Sequence, residues 1–318
     1  MKYDVITFGS AILDVYVKSP DMKVIKSAKS LTGKYLAVPY GIKAEASHLV
    51  VTSGGGGTNT AVGLSRLGVK TALVARLGWD LAGKSIRTEL KKEGVDDGLL
   101  CQYEGEATDW SVILLGPGGN RTVLVWRGQT RLERSLFDLK RLNSFWFYIA
   151  SLEGNVALLR DLLVFAKENH IKVALNPGGK EIQAKEEWLD LAGEVAVFMV
   201  NKEEAALLAG LSLKEEEVLG YLANKVKKGL LVVTDGSEGV WTAEAGENIK
   251  KHYSLAVTQV DQSGAGDAFG SGLVAGLIKG KKTEEAIRLG IANGAAAVTK
   301  IGAKQGLLTE EEAEIWAQ

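Results

Sequence analysis

Between residues 144 and 234 the chain alternates short β-branched and aromatic runs with longer stretches whose apolar residues recur at helical spacing. The pattern gives a strand over Ser144 to Ala150, a helix over Asn155 to Asn169, a strand over Lys172 to Asn176 and a helical stretch near 181 to 191. It continues with a strand over Val195 to Val200, a helix over Glu203 to Ala209, another near 215 to 228 and a strand over Leu230 to Thr234. Helices between successive strands carry the chain back across the sheet, so the strands pair in parallel and the helices cover both faces. An α/β fold follows, with a mostly parallel central sheet flanked by helices. Ligands in such sheets bind beyond the carboxyl ends of the strands. Polar residues stand at those ends: Glu153, Asn176, Asn201 with Glu204, and Thr234 with Asp235. Each could be a cap or turn residue, but their shared position points to one cleft.

Further on, Tyr253 to Val260 reads as a β-rich run, followed by Asp261-Gln-Ser-Gly-Ala-Gly-Asp267 and a small-residue stretch, Ala268 to Lys279, at helical spacing. Glycines are thus expected where a strand turns into a helix. The first amides of a helix have no partner within it, glycines let an anion reach the backbone, and the helix dipole favours negative charge. The amides of Gly264, Ala265 and Gly266 would then cradle a phosphate. Asp267 beside them is electrostatically awkward unless it takes a proton from a hydroxyl attacking phosphorus. Glycine punctuation and an N-capping Asp stay open as alternatives on these residues alone.

In the first third, Tyr3 to Phe8 reads as a buried parallel strand ended by Gly9-Ser10. Asp14 follows among apolar neighbours. It is either a carboxylate satisfied by sugar hydroxyls or a solvent-facing residue of an edge strand. Residues 18 to 50 hold short β-like alternations separated by turns, with an isolated His48. Ser53-Gly-Gly-Gly-Gly-Thr-Asn-Thr60 again places glycines at the opening of a helix. Thr71 to Leu77 reads as a strand, Gly78 to Gly83 as a turn in which Asp80 caps the helix that runs from Lys84 to Glu93. Thr108 to Leu115 and Arg121 to Arg127, joined by Gly116-Pro-Gly-Gly-Asn120, form a hairpin. With the segment from about 15 to 51, this hairpin is assigned to a small β-sheet lid. Arg121 and Arg127 could reach phosphate when the lid closes, although exposed strand arginines are common.

The 38 basic and 39 acidic residues nearly cancel, which leaves no field to attract nucleic acid or an anionic membrane and favours a small-molecule partner. A single cysteine, Cys101, excludes an internal disulfide and fits a reducing compartment. Met1-Lys-Tyr-Asp enters directly into a strand without a long apolar span, so no signal peptide or membrane helix is expected and the cytoplasm is the inferred location.

The string Asp-x-x-Gly-Ala-Gly-Asp before a small-residue helix resembles the second signature of the PfkB, or ribokinase-like, carbohydrate kinases. Ser53 to Thr60 resembles the first, Gly-Gly-x-Gly-x-Asn. The resemblance covers nearly the entire chain. It implies a ribokinase-like fold, one domain over 1–318, that transfers the γ-phosphoryl group of ATP to a sugar hydroxyl with Mg2+. By this resemblance Asp14, Gly55, Gly56, Asn59 and Glu153 contact the acceptor, Asp267 is the base, and Asn201 with Glu204 supports magnesium through water. Thr234, Gly236 and Gly239 lie in the nucleotide-facing loop, Asn293 and the Ile301 to Gly306 turn line the adenine pocket, and Asp261 with Ser263 could hold a monovalent cation such as K+. The chain departs from the pattern at Gly56, where ribokinases often carry Lys, at Asp235, where many relatives are apolar, and at Gly306, which replaces a Ser of potassium-binding members. A nucleoside kinase with an adenosine-type acceptor is the alternative within the superfamily. A non-catalytic sugar-binding sensor is a remoter one. The glycines at 54 to 57 and 270 to 276 do not follow a dinucleotide-binding spacing, which weighs against an oxidoreductase. The apolar alternation at Tyr35 to Tyr40 fits either a homodimer through the lid or a cap on the pocket.

Overall fold

The computed structural model describes residues 2–30, 32–117, 121–210, 215–245 and 247–317; residues 118–120 of the expected hairpin turn lie outside the described residues. The chain opens with β1 (Tyr3–Phe8), β2 (Ile12–Lys18), β3 (Lys23–Lys26), β4 (Lys34–Ala37) and β5 (His48–Gly54), then turns into α1 (Gly56–Arg66). Next come β6 (Thr71–Val74), β7 (Arg76–Gly78), α2 (Leu81–Lys92), β8 (Cys101–Tyr103), β9 (Asp109–Leu115) and β10 (Arg121–Trp126). The alternating part holds β11 (Ser144–Ile149), α3 (Val156–Glu168), β12 (Lys172–Leu175), α4 (Gly179–Gln183), α5 (Lys185–Ala192), β13 (Val197–Asn201), α6 (Lys202–Ala209), α7 (Glu215–Lys225) and β14 (Leu230–Thr234). A hairpin of β15 (Val240–Glu244) and β16 (Glu247–His252) precedes α8 (Ala265–Ile278), α9 (Thr283–Ala297) and α10 (Glu310–Trp316).

These elements build an eight-stranded sheet in the order β16-β15-β14-β13-β12-β11-β1-β6. From β14 to β6 every pairing is parallel, and β15 and β16 extend the sheet antiparallel. Successive residues serve opposite faces, as the period of a strand requires. Phe147 and Ile149 join the core formed with Leu158, Leu162, Trp188 and Leu222. Trp146 and Tyr148 join the core formed with Leu64, Leu273, Val274 and Leu289. Each fully buried aliphatic or aromatic side chain contributes about 1.5–3 kcal/mol, so both faces of these strands must be apolar.

The small residues of α8 have a packing reason. A Cβ on Gly272 would lie 2.7 Å from the Leu289 carbonyl oxygen, and one on Gly276 would lie 2.8 Å from Ala286 Cα. Glycine therefore lets α8 and α9 approach backbone to backbone.

A second sheet runs β10-β9-β2-β5, with β2 antiparallel to β5 and parallel to β9. Asp14 lies in register with Thr52 and Ser111, so its strand is central rather than an edge. All six residues of β10 are exposed. The small β3–β4 hairpin is separate from this sheet.

Three local expectations are corrected. Tyr253 to Val260 is not a strand: it is mostly exposed and pairs with no sheet edge among the described residues. Its β-forming residues lack the ladder partner that such propensity needs. The stretch over Thr71 to Leu77 breaks at Ala75 into β6, which pairs with β1, and β7, which pairs with β8. The helical stretch near 181 to 191 is two helices, α4 and α5, meeting at Ala184. Asp80 caps α2, its Oδ1 accepting the Gly83 amide at 2.7 Å while Oδ2 accepts the Thr108 amide at 2.8 Å.

Candidate active site

The two glycine turns, more than two hundred residues apart in sequence, meet. Asn59 Nδ2, in the first turn of α1, donates to Asp267 Oδ2 at 2.8 Å, in the first turn of α8. Asn59 Oδ1 is buried without a partner among the described residues, an unmet acceptor that a ligand hydroxyl would satisfy. A Cβ on Gly56 would stand 3.5 Å from Asp267 Oδ1, so the backbone of the glycine loop passes directly beside the carboxylate. Gly55 has φ 91°, in the left-handed region, and a side chain there would strike the Ser10 carbonyl at 2.6 Å.

Asp14 joins this group from β2. A Cβ on Gly54 would lie 1.9 Å from Asp14 Oδ2, so the first glycine of the loop exists to admit that carboxylate. Burial pushes the Asp14 carboxyl up to about 6, against the opposing pull of the Ser111 hydroxyl and the Lys304 and Arg127 cations. Asp267 is raised as well, again by burial first, with the Asn59 hydrogen bond and the Lys304 charge acting against it. Two carboxylates of enhanced basicity thus flank the glycine loop.

The turn into α8 holds free donors. Gly264 has φ 73°, and a Cβ there would lie 2.6 Å from that of Ala303, so glycine is required. The Ala265 amide, however, donates to the Gln262 carbonyl at 3.3 Å. Of the expected cradle, Ala265 is therefore lost, while the Gly264, Gly266 and Asp267 amides have no acceptor among the described residues, and nothing lies within 4 Å of a Cβ on Gly266. Free amides opening onto free space at a helix start suit a phosphate.

At the neighbouring strand ends, Asn201 and Glu204 form a reciprocal cap on α6. Asn201 Oδ1 accepts the Glu204 amide at 2.8 Å, and Glu204 Oε2 accepts the Asn201 amide at 3.0 Å. Burial, then the like charges of Glu203 and Glu181, raises the Glu204 carboxyl, while the Asn201 bonds oppose them. The cap uses one Glu204 oxygen and leaves Oε1 for another partner. One partly buried carboxylate oxygen fits a magnesium ion that keeps most of its water, and no cluster of three His, Cys, Asp or Glu side chains stands ready for a metal among the described residues.

Thr234 lies in register with Asn201, and Lys202 Nζ meets Asp235 Oδ2 at 2.9 Å. The space beside Gly236 is open, whereas a Cβ on Gly239 (φ 102°) would stand 2.0 Å from the His252 carbonyl. Gly239 therefore serves the turn, and Gly236 leaves the loop open.

Other sequence-predicted residues lie differently. Asn293 is fully buried: its Nδ2 donates to the Ala268 carbonyl and Ser271 Oγ, and its Oδ1 accepts the Leu308 amide at 2.9 Å. It holds α8, α9 and the C-terminal segment together and presents nothing to a nucleotide. Glu153 is paired with Arg127 at 3.2 Å and Lys180 at 3.3 Å. The Asp261 carboxylate is already spent. Its Oδ1 accepts from Ser263 N at 2.9 Å and Ser263 Oγ at 2.7 Å and faces Arg121 Nη1 at 3.4 Å, and its Oδ2 accepts the Gly302 amide at 2.9 Å. The Asp261 side chain, the oxygen source closest at hand for a monovalent cation, is thus engaged with Ser263, Gly302 and a guanidinium. Arg127 is likewise tied, at 2.7 Å, to the buried Asp109.

Lys304 lies in the Ile301 to Gly306 turn that the resemblance assigns to the adenine pocket, and Glu89, on a charged helix, carries no signal in the sequence. Lys304 is buried and bonds Ser53, next to the glycine loop. A cavity of about 590 Å³ lies at the opposite end of the sheet, by Leu230, Glu244, Lys250, Lys282, Glu284 and Arg288, and does not belong to this site.

A sequence profile of the pfkB family carbohydrate kinases matches residues 5–310. The ribokinase of Haemophilus influenzae is 27% identical over 98% of this chain and 97% of its own length. Fructokinase-1 of Oryza sativa subsp. japonica is 30% identical over 85% of this chain and 89% of its own. The crystal structure of a putative ribokinase from Agrobacterium tumefaciens superposes with a TM-score of 0.85 at 20% identity, covering 100% of this chain and 98% of that one. No helix among the described residues is long and apolar enough to cross a membrane.

Proposed function

Because the chain belongs to the pfkB family of carbohydrate kinases, with the ATP-dependent sugar or nucleoside phosphotransferase activity of that family, we propose that it phosphorylates a sugar hydroxyl, in the manner of a ribokinase or fructokinase. The observation that carries this reading is the Asn59–Asp267 contact, which brings a polar glycine loop and an anion-binding helix start to one point.

In the reaction, the acceptor oxygen attacks the γ-phosphorus, its proton passes to the Asp267 carboxylate, the bond to the β–γ bridging oxygen breaks, and ADP leaves. The raised basicity of Asp267 suits it to take that proton. Free amides at Gly264 and Gly266 would hold the phosphate charge that develops. Asp14, Asn59 and the backbone at Gly55 and Gly56 would orient the acceptor, where placement outweighs covalent help. Bound Mg2+ would neutralise phosphate charge, with Glu204 and Asn201 supporting its water shell. Thr234 and Gly236 would border the nucleotide. Residues of about 15–51 and 108–127 would act as the lid over the acceptor, excluding water that would otherwise hydrolyse ATP. The exposed Val123, Leu124, Val125 and Trp126 of β10 would pair two lids in a homodimer.

Asp267→Asn should lower transfer by about 10²–10⁴-fold and leave ATP binding intact. ADP release with ribose, fructose, 2-keto-3-deoxygluconate and adenosine, beside calorimetric titration of ATP, measures both. Turnover equal to the unsubstituted protein would reject the base assignment.

A further inference from the structure

Lys304 is 1% exposed, and an ammonium so far from water must be paired. Its Nζ donates to the Ser53 carbonyl and, at 2.6 Å, to Ser53 Oγ, and stands 3.4 Å from Glu89 Oε1. Glu89 grips the same residue from its other side: Oε2 accepts the Ser53 amide at 2.7 Å, and Oε1 accepts Thr52 Oγ1 at 3.1 Å. Both backbone polar groups of Ser53 are therefore held by an ion pair whose halves come from α2 and the C-terminal turn. Ser53 directly precedes Gly54, which makes room for Asp14, and lies opposite Leu13 on β2.

The surrounding charges are few. Burial pulls the Lys304 ammonium down from its ordinary range, Glu89 on α2, Asp14 on β2 and Glu93 at the C-cap of α2 act to keep it charged, and Asp267 on α8 feels it in turn. Arg66 on α1 donates to the Lys304 carbonyl at 2.8 Å and is neutralised by Glu93. Arg127, just after β10 and paired with Asp109 and Glu153, acts on Asp14 only through its charge. Stability alone does not call for this arrangement, since well-packed apolar side chains often replace a buried ion pair at no loss.

Resting on the kinase reading above, we propose that Lys304 and Glu89 are a positioning pair for phosphoryl transfer: they fix the Ser53 peptide, and with it the glycine loop, and set one positive charge within range of both Asp14 and Asp267. The pair touches neither substrate. It acts through the carboxylates that do.

Two substitutions of opposite sign test this. Lys304→Met removes the positive charge, and Glu89→Gln removes the negative one while keeping an oxygen for the Ser53 amide. The first should lower acceptor kcat/KM about 10–100-fold, mainly through KM, and move the acid limb of its pH profile upward. The second should move that limb downward, because Asp14 loses a like charge. Titration of the aspartate carboxyls by 13C NMR should show Asp14 displaced in the same two directions, with or without turnover. No displacement, or the same direction in both variants, overturns the proposal, and Glu89→Gln decides the matter alone if Lys304→Met does not fold. If Asp14 moves as expected while the unsubstituted protein transfers phosphate to no acceptor, the kinase reading fails and the electrostatic role of the pair survives. If transfer occurs but Asp14 does not move in the variants, the kinase reading stands and the positioning role falls.

Discussion

At the scale of the residue, burial decides how each carboxyl behaves. Asp14 rises to about 6 because β5 and β9 cover it, so it is charged above that pH and neutral below. Its charged form accepts two or more hydroxyl donors, and its protonated form accepts fewer. Acceptor kcat/KM should therefore climb as pH rises through about 6 and level off above it. Asp267, also raised, contributes to the same limb. A rate series from pH 5 to pH 8 measures this, and Asp14→Asn should lower the plateau and erase the Asp14 inflection. Asp14, Asn59 and Asp267 are legible in the sequence because glycines or apolar neighbours set them apart. Lys304 and Asn293 are not. Each is polar in a sequence context that reads as surface or site, and each is buried by segments distant in the chain, an outcome that local spacing cannot encode.

At the scale of the element, the start of α6 carries two jobs on two residues. The cap requires the Asn201 oxygen, and the proposed metal support requires the Glu204 charge. Asn201→Ala should cost about 1 kcal/mol of stability through loss of the cap, seen as a lower midpoint in urea. Glu204→Gln keeps an oxygen for the Asn201 amide, so stability should hold to within about 0.5 kcal/mol while the Mg2+ concentration needed for half-maximal activity rises. Equal loss of stability in both variants would make the pair a cap and nothing more. The strands and helices from β11 to β14 are readable because their periodicity is a local property of the chain. Tyr253 to Val260 misleads because β propensity is not local in that way: a strand needs a neighbouring edge, and this segment pairs with none among the described residues.

At the scale of the molecule, the second sheet and the hairpin end beside it are fastened to connecting segments distant in the chain, after β11, before α8 and after α9, by side chains that close long loops. Arg121 meets Asp261, Arg127 meets Glu153, and Lys304 meets Ser53. β10, by contrast, is exposed along its whole length and pairs on one side only. An apolar edge of that kind in water favours another edge. Sedimentation should give a dimer, and Leu124→Lys should give a monomer with a raised acceptor KM. A monomer at all concentrations before substitution would leave β10 as a pocket cover. The parallel sheet is legible as a whole, but these long-range ties are not, since arginines on an exposed hairpin give no sign of the carboxylates they will meet.

The glycine contacts that lock α8 against α9 bear on how specificity can change. The helix that carries the proposed base and the proposed anion turn is held backbone against backbone, so it tolerates little adjustment. The proposed acceptor contacts come instead from Asp14 on β2 and from Gly55, Gly56 and Asn59, where the outer sheet leads from β5 into α1. Substrate preference can accordingly be retuned by rewriting that outer sheet, with the phosphate-handling half left as it stands.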